Sequence, residues 1–490
     1  MAAGQIMKNL MREKSFALGV GIISLVVGAG CRTDRASAEN NSHSPVVQVF
    51  TNAAAPAPAV AALPAGTALA NDTFVAVSVV DAQQIVAQPQ AAIGDAVAHL
   101  PGLAASTFAP GASRPIIRGL DNYRVRIQEN GIASHDVSAL SEDHAVPLPP
   151  MVNQQIEVIR GPGTLRYGSQ AIGGVVSAMN TRIPEIIPPK GISLTTHGAW
   201  ASVDDGHEGA LIVDMGAGNI AIHGDMWRRH SADYNTPQGV QANSRTDAEG
   251  GALGASFVFR DGFLGLAYQH YSSLYHIPGV EAAERKLRID LEQWRLSSRG
   301  EWRPRMYGVA AVRTWFGYSE YKHDEISNDP VTGEPGIGST FKNNQSEGRI
   351  EVQHMPVLLA IGSLSGAIGM QWGNRSLSAA GEGGELLAPV KSDTIATYLF
   401  EELQVSRDLR LQAAFRLESV RHQGTGATFA PGYLPPPDDP ELFPATRTYR
   451  PASVSFGLLY QLPLGVIARI TAQQVERAPE ASELFSKGPH

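Results

Sequence analysis

The sequence predicts a mainly β protein, with a small α+β domain inside an antiparallel transmembrane β-barrel. Three observations predict it. From residue 190 onward, apolar and polar residues alternate with period two. The alternating segments are long enough to cross a bilayer, which takes about 9–11 residues per tilted strand. Tight turns and long loops alternate between them. Ahead of them, residues 72–188 carry short strand-like runs, many glycines and several arginines and carboxylates. That composition suits a polar lumen and not a lipid-facing wall.

Composition narrows the function classes. The chain has 490 residues, a formal charge of −8 and one cysteine. The negative balance argues against nucleic acid as a partner. One cysteine excludes a disulfide within the chain and a four-cysteine metal site. GxxxxGK[ST], HExxH and GxSxG are all missing, so no enzyme is expected.

Residues 1–38 read as a signal peptide. Lys8, Arg12 and Lys14 precede an apolar run from Phe16 to Gly30, and Ala36-Ser37-Ala38 fits a small-x-small cleavage site. Cys31, directly after the apolar run, raises a lipid anchor as the alternative. Residues 39–71 are rich in Ala, Pro and Asn and read as a flexible periplasmic arm. Thr73-Phe74-Val75-Ala76-Val77 then reads as extended. It suits either pairing with a partner's sheet edge or the first strand of the next domain.

Within residues 72–188, Ile93, Val97 and Leu100 share one side of an amphipathic stretch from Gln90, with Pro89 before it and Pro101-Gly102 ending it. Strands are expected at Pro115–Arg118, Tyr123–Gln128 and Gln155–Arg160. Asn130-Gly131 signals a hairpin turn, and Gly161-Pro162-Gly163 breaks the last strand. Gly161 and Gly173-Gly174 invite a phosphate-loop reading, but no Lys or Ser/Thr follows at the required spacing. Arg118, Arg124, Arg126 and Arg160 are expected to pair with Glu129, Glu157 and wall carboxylates rather than to form an anion site.

Residues 189–490 read as a partial barrel. Leu409, Leu411, Ala413, Phe415 and Leu417 alternate with Arg410, Gln412, Ala414, Arg416 and Glu418. Similar patterns run through Ala452–Gln461 and Ile220–Trp227, and begin at Leu264. Tight connections fall near Gly216–Gly218, Asp261-Gly262, Pro304, Arg407-Asp408 and Pro463. Long ones are expected at Ser231–Glu249, Ser273–Arg285, Lys322–Thr340, Leu377–Val390 and His422–Pro444. A soluble sandwich also alternates, but this succession of turn lengths is that of outer-membrane barrels. Matching the template gives about thirteen strands. Single-chain bacterial barrels have an even number, so the closing strands are expected to be missing.

These motifs resemble a known family. Ile117-Arg118-Gly119, Arg124-Val125-Arg126-Ile127-Gln128-Glu129-Asn130-Gly131, Glu157-Val158-Ile159-Arg160-Gly161-Pro162 and Leu165-Arg166-Tyr167-Gly168-Ser169-Gln170-Ala171-Ile172-Gly173-Gly174 are similar to the plug of TonB-dependent outer-membrane receptors. Asp136-Val137-Ser138, Asp143-His144-Ala145, Arg182-Ile183-Pro184, Arg288–Gln293, Glu347–Glu351 and Glu483–His490 resemble the zinc-uptake branch. The resemblance spans about residue 72 to the last residue. It implies a 22-stranded barrel filled by the plug, with about nine strands beyond those counted. It also implies uptake driven by the TonB–ExbB–ExbD complex, which would contact Thr73–Val77, and an outer-membrane location in contact with lipid.

The same resemblance places zinc, as cargo, on Asp143 and His144. An imidazole and a carboxylate are acceptable zinc ligands. Neighbouring residues converge only in a loop, and Ser141-Glu142-Asp143-His144 has loop character. His490 and Glu347 are added as further candidate ligands. Glu142 stands where the family pattern has proline, and no long loop is histidine-rich. Copper binds such ligands more tightly than zinc, so ligand type does not name the metal. The alternatives are a siderophore or other metal chelate as cargo and, from another class, an adhesin or passive porin. A plug argues against a porin.

Overall fold

The computed structural model describes residues 76–304, 306–428, 441–462 and 467–487. The leader, Cys31, the arm, Thr73, Phe74, Val75, the connection at Pro463 and His490 lie outside the described residues.

Seven short strands build the inner domain: β1 (Ala76–Asp81), β2 (Leu103–Ala105), β3 (Pro115–Ile117), β4 (Val125–Glu129), β5 (Ile132–Ala133), β6 (Gln155–Arg160) and β7 (Gly174–Met179). Five of them form one sheet in the order β1-β6-β7-β4-β5, with β4 and β7 parallel. The amphipathic stretch supplies a helix, Ile93–Ala98, shorter than Gln90–Leu100. Its Ile93 and Val97 pack with Val80, Ile117, Val158 and Val176. Tyr123 and Arg124 belong to a short 3-10 turn and not to β4. Asn130 and Gly131 both have positive φ, 49° and 90°, the signature of the two-residue hairpin turn that joins β4 to β5. Ala76 and Val77 belong to β1, opposite Arg160 and Ile159 of β6.

The outer wall follows in chain order: β8 (Ile192–Ala201), β9 (Gly206–Ala217), β10 (Ile220–Ser231), β11 (Asn235–Thr236), β12 (Gly239–Val240), β13 (Thr246–Phe259), β14 (Gly262–His276), β15 (Arg288–Trp302), β16 (Val309–Asn328), β17 (Pro335–His354), β18 (Val357–Leu359), β19 (Gly362–Gly381), β20 (Val390–Gln404), β21 (Leu409–Thr428), β22 (Glu441–Tyr449), β23 (Ala452–Gln461) and β24 (Ile467–Gln474). All but β11 and β12 join one 15-stranded sheet, in which β18 and β22 pair off the main path. The path runs from edge strand β24 to edge strand β8 and holds thirteen strands among the described residues. This agrees with the number read from the alternation.

The two faces separate as the alternation requires. Leu264, Leu266, Leu411, Phe415, Leu417 and Phe456 are exposed on one face. Arg295, Gln412, Arg416 and Glu418 are buried on the other, against the inner domain. In water this arrangement would be inverted; in a bilayer it is the expected one. Ion pairs cross between inner domain and wall. Arg166 is held by both carboxylate oxygens of Glu351. Arg182, 2.8 Å from Glu129 within the inner domain, reaches across to Asp225 of the wall at 2.8 Å. Burial alone would raise Glu129, but Arg182 and Arg295 outweigh it and hold the carboxyl below its ordinary value.

One expectation about the connections needs correction. Lys322–Thr340 is not a long loop. β16 and β17 continue to a tight hairpin in which Asn328 faces Pro335. Above an apolar belt a strand no longer needs an apolar face, so its period-two signal fades while its backbone pairing persists. Leu377–Gly381 likewise belongs to β19, and His422–Thr428 to β21.

Candidate metal centre

The centre is assembled where an inner-domain turn meets the upper end of β16. Ser141–His144 forms a turn closed by His144 N–H donating to Ser141 O, 3.4 Å. Such a turn allows the consecutive side chains of Asp143 and His144 to converge. Three groups hold it. Tyr275 on β14 accepts from Ala145 N at 2.9 Å and donates to Asp143 O at 2.7 Å. Arg114, which is buried, donates to the carbonyls of Ser138 and Ser141. Ser141 Oγ donates to Asp143 Oδ1.

On the wall, inward parity along β16 delivers His323 and Glu325. His144, His323 and Glu325 present ligand atoms that all lie within 4.8 Å of one another. His144 Nε2 is 3.0 Å from Glu325 Oε1 and 3.8 Å from Asp143 Oδ1. His323 Nε2 is 3.7 Å from Glu325 Oε1. Donors on one tetrahedral zinc, at 2.0–2.1 Å bonds, stand about 3.3 Å apart. The separations among His144, His323 and Glu325, up to 4.8 Å, exceed that spacing by up to about 1.5 Å, and Asp143 is placed only by its 3.8 Å approach to His144. Both imidazoles are fully buried, and Phe341 packs against them with ring centres at 5.0 and 4.9 Å.

The contacts of His144 place its Nε2 where either a proton or a metal ion can bridge to Glu325. His144 Nδ1 lies 3.2 Å from Val137 O. A carbonyl only accepts, so Nδ1 carries the hydrogen and the neutral ring leaves Nε2 as a lone pair. That lone pair faces a carboxylate oxygen at 3.0 Å. Two acceptors at that distance repel unless a positive charge sits between them. A second proton or a metal ion meets that need.

Of the other expected ligands, Glu347 does not join the cluster. It is on the inward face of β17, but Arg126 Nη2 takes its carboxylate at 2.6 Å. It stands opposite Gly317, whereas Phe341 stands opposite His323. Six residues of strand, roughly 20 Å, separate the two levels. The residues that the sequence did not single out are His323 and Glu325. The alternation through Trp315, Tyr321 and His323 carried the signal, had it been followed past Lys322. Arg160 holds Pro101 O and Ser78 Oγ instead of a ligand. At Gly174 (φ 150°) an added Cβ would meet Ile117 Cδ1 and Ile159 O, both at 2.8 Å. The glycine there serves close packing and no phosphate.

An α+β domain is thus seated against the polar face of a large antiparallel sheet, and the candidate metal donors come from both. Residues 70–175 match the family described as TonB-dependent Receptor Plug Domain. The fold is similar to that of the copper transporter OprC, with a TM-score of 0.70 at 14% identity, covering 84% of this chain and 66% of that one. It is also similar to the Serratia marcescens hemophore receptor HasR, at TM-score 0.71 and 14% identity, covering 84% and 65%. A third similar structure is the ferric-catecholate import receptor Fiu from E. coli K12, at 0.64 and 17%, covering 84% and 71%. The chain thus spans just under two thirds of the copper transporter's length. It carries a match to the TonB-dependent receptor plug domain and shares the fold of these structures.

Proposed function

We propose that the protein is an outer-membrane receptor that imports a divalent transition-metal ion, zinc first, with energy supplied by TonB, ExbB and ExbD. Asp143 and His144 from the plug and His323 and Glu325 from the wall hold the ion. Thr73–Val77 is the contact for TonB, and residues 1–38 direct export. The observation that supports the reading is the convergence of His144, His323 and Glu325, whose ligand atoms lie within 4.8 Å of one another. A bare ion satisfies that set, whereas a chelate arrives with its coordination already filled. A cavity lined by Arg114, His135 and Ser138 of the plug and Gln345 and Arg375 of the wall is about 90 Å³, well under the roughly 300–1,000 Å³ of sites that enclose drug-sized ligands. The similar ferric-catecholate and hemophore receptors favour a chelate as the second reading. The copper transporter keeps copper beside zinc as the ion.

Calorimetric titration of the detergent-solubilised chain with zinc and with copper tests the proposal. One buried site, with proton release on binding, is expected. Asp143→Ala/His144→Ala should abolish it while the sheet still forms. Zinc binding that survives this double substitution unchanged overturns the plug half of the site.

A further inference from the structure

A second pair of imidazoles stands on the opposite face of the wall. His207 near the start of β9 and His230 near the end of β10 are register partners, and His230 is also the register partner of Asp247 on β13. The row His207–His230–Asp247 therefore crosses three adjacent strands at the long-loop end. Its parity is that of the exposed Leu211, Met215, Ile222, Met226 and Leu253. The row thus points out of the sheet, away from the plug. Four residues of strand, roughly 13 Å, separate His207 from Leu211 and His230 from Met226, which lifts the pair clear of the apolar belt. His207 is exposed, and the His230 side chain is 40% exposed.

The hydrogen bonds fix which nitrogens remain. His230 Nδ1 is 2.5 Å from Asp247 Oδ1, and His207 Nδ1 is 3.4 Å from the carbonyl of Asp205. Both acceptors are oxygens without a hydrogen to give, so each neutral ring carries its hydrogen on Nδ1 and keeps a lone pair on Nε2. A ring N–H tied to a carboxylate or carbonyl is the outer-shell arrangement that orients metal-binding histidines and raises their basicity. The spacing fits as well. Two imidazoles on one ion at 2.0–2.1 Å, about 105° apart, have ring centres about 5 Å apart. The His207 and His230 ring centres are 5.0 Å apart, with their planes inclined by 43°. A salt-bridged His230 resting on His207 explains the carboxylate contact but gives the lone pairs no task.

We infer that His207 and His230 form a second metal site, on the outer rim of the wall, which takes a borderline-soft divalent cation such as Zn²⁺ or Cu²⁺ through two Nε2 atoms. Asp247 is a positioning residue, and water completes the coordination. The site is separate from the plug centre and does not depend on its assignment.

Copper is the probe. In a His144→Gln/His323→Gln background, which lacks the plug centre's imidazoles, the full chain in detergent should still bind one Cu²⁺. Its electron paramagnetic resonance spectrum should show two coupled nitrogens. His207→Gln and His230→Gln should each remove that ion or leave one coupled nitrogen. Asp247→Asn should keep the stoichiometry and weaken binding about 10- to 100-fold. Absence of the ion in this background, or two-nitrogen coupling retained in both histidine variants, overturns the assignment. Because both histidines are exposed, all three rim variants should fold as the parent does.

Discussion

Tyr275→Phe separates a preorganised plug centre from a fortuitous cluster. Tyr275 is fully buried, and its hydroxyl joins Ala145 N at 2.9 Å to Asp143 O at 2.7 Å. Phenylalanine keeps the ring and its packing and removes only the oxygen. Ala145 is also fully buried, so its N–H loses its partner and the Asp143 carbonyl loses a donor. An orphaned buried group costs about 1–3 kcal/mol, and two at the low end cost about 2 kcal/mol. The metal requires the turn in this conformation, so that cost appears in binding, as a Kd weaker by roughly thirtyfold. None of the four ligands is touched. Zinc calorimetry on parent and variant, with thermal unfolding as a control, reads the effect. A Kd within about twofold of the parent, in a variant that keeps its fold, would show that the turn needs no clamp and would refute the argument.

Two further outcomes follow from the plug. Burial pushes the Glu157 carboxyl up to about 7 from an ordinary 4.5. The folded state therefore binds that proton more tightly than the unfolded one, and stability falls as pH rises from 4.5 to 7, by at most about 3 kcal/mol. Denaturant unfolding across about pH 5 to 8 should show that slope in the parent and lose most of it in Glu157→Gln, which is also the more stable protein at the alkaline end; a parent curve that rises through this window contradicts the assignment. Arg182→Met removes the cation that Glu129 and Asp225 share and leaves them Arg295 and His223 respectively, a loss at or below the roughly 3–5 kcal/mol of a broken buried pair. The inner domain should become protease-sensitive while the wall resists, and equal resistance of both would show that the pairs across the boundary do not seat the domain.

The wall was legible in the sequence because a bilayer enforces its code. Leu411, Phe415 and Leu417 are exposed while Gln412, Ala414 and Arg416 between them are buried; a slip by one would place Arg416 in lipid. The inner domain was legible through its breakers. Asn130-Gly131 and Gly161 sit at backbone conformations with positive φ. The strand ends were not legible. Above the apolar belt both faces of β16 are polar, and Lys322-His323-Asp324-Glu325 reads as a loop although its backbone is fully paired. That is why His323 and Glu325, two of the candidate donors, were missed. Glu347 had the correct parity at the wrong height, and height along a strand depends on shear between strands, which local sequence does not record.

The division of the donors has a mechanical consequence on the proposed reading. Asp143 and His144 belong to the plug, and His323 and Glu325 to the wall. An ion held by all four binds only while the plug is seated, so it must stabilise seating, by about 2.7 kcal/mol at a concentration 100 times Kd. The converse also holds. Any pull that displaces the turn halves the ligand set, leaving a histidine and a carboxylate on each side. Neither pair alone offers the three or four protein ligands of a tight zinc site. Release is therefore built into displacement and needs no second change at the centre. It also sets what the clamps must do: Tyr275 and Arg114 have to hold the turn firmly enough to close the site, yet through hydrogen bonds that a displaced segment can exchange for water.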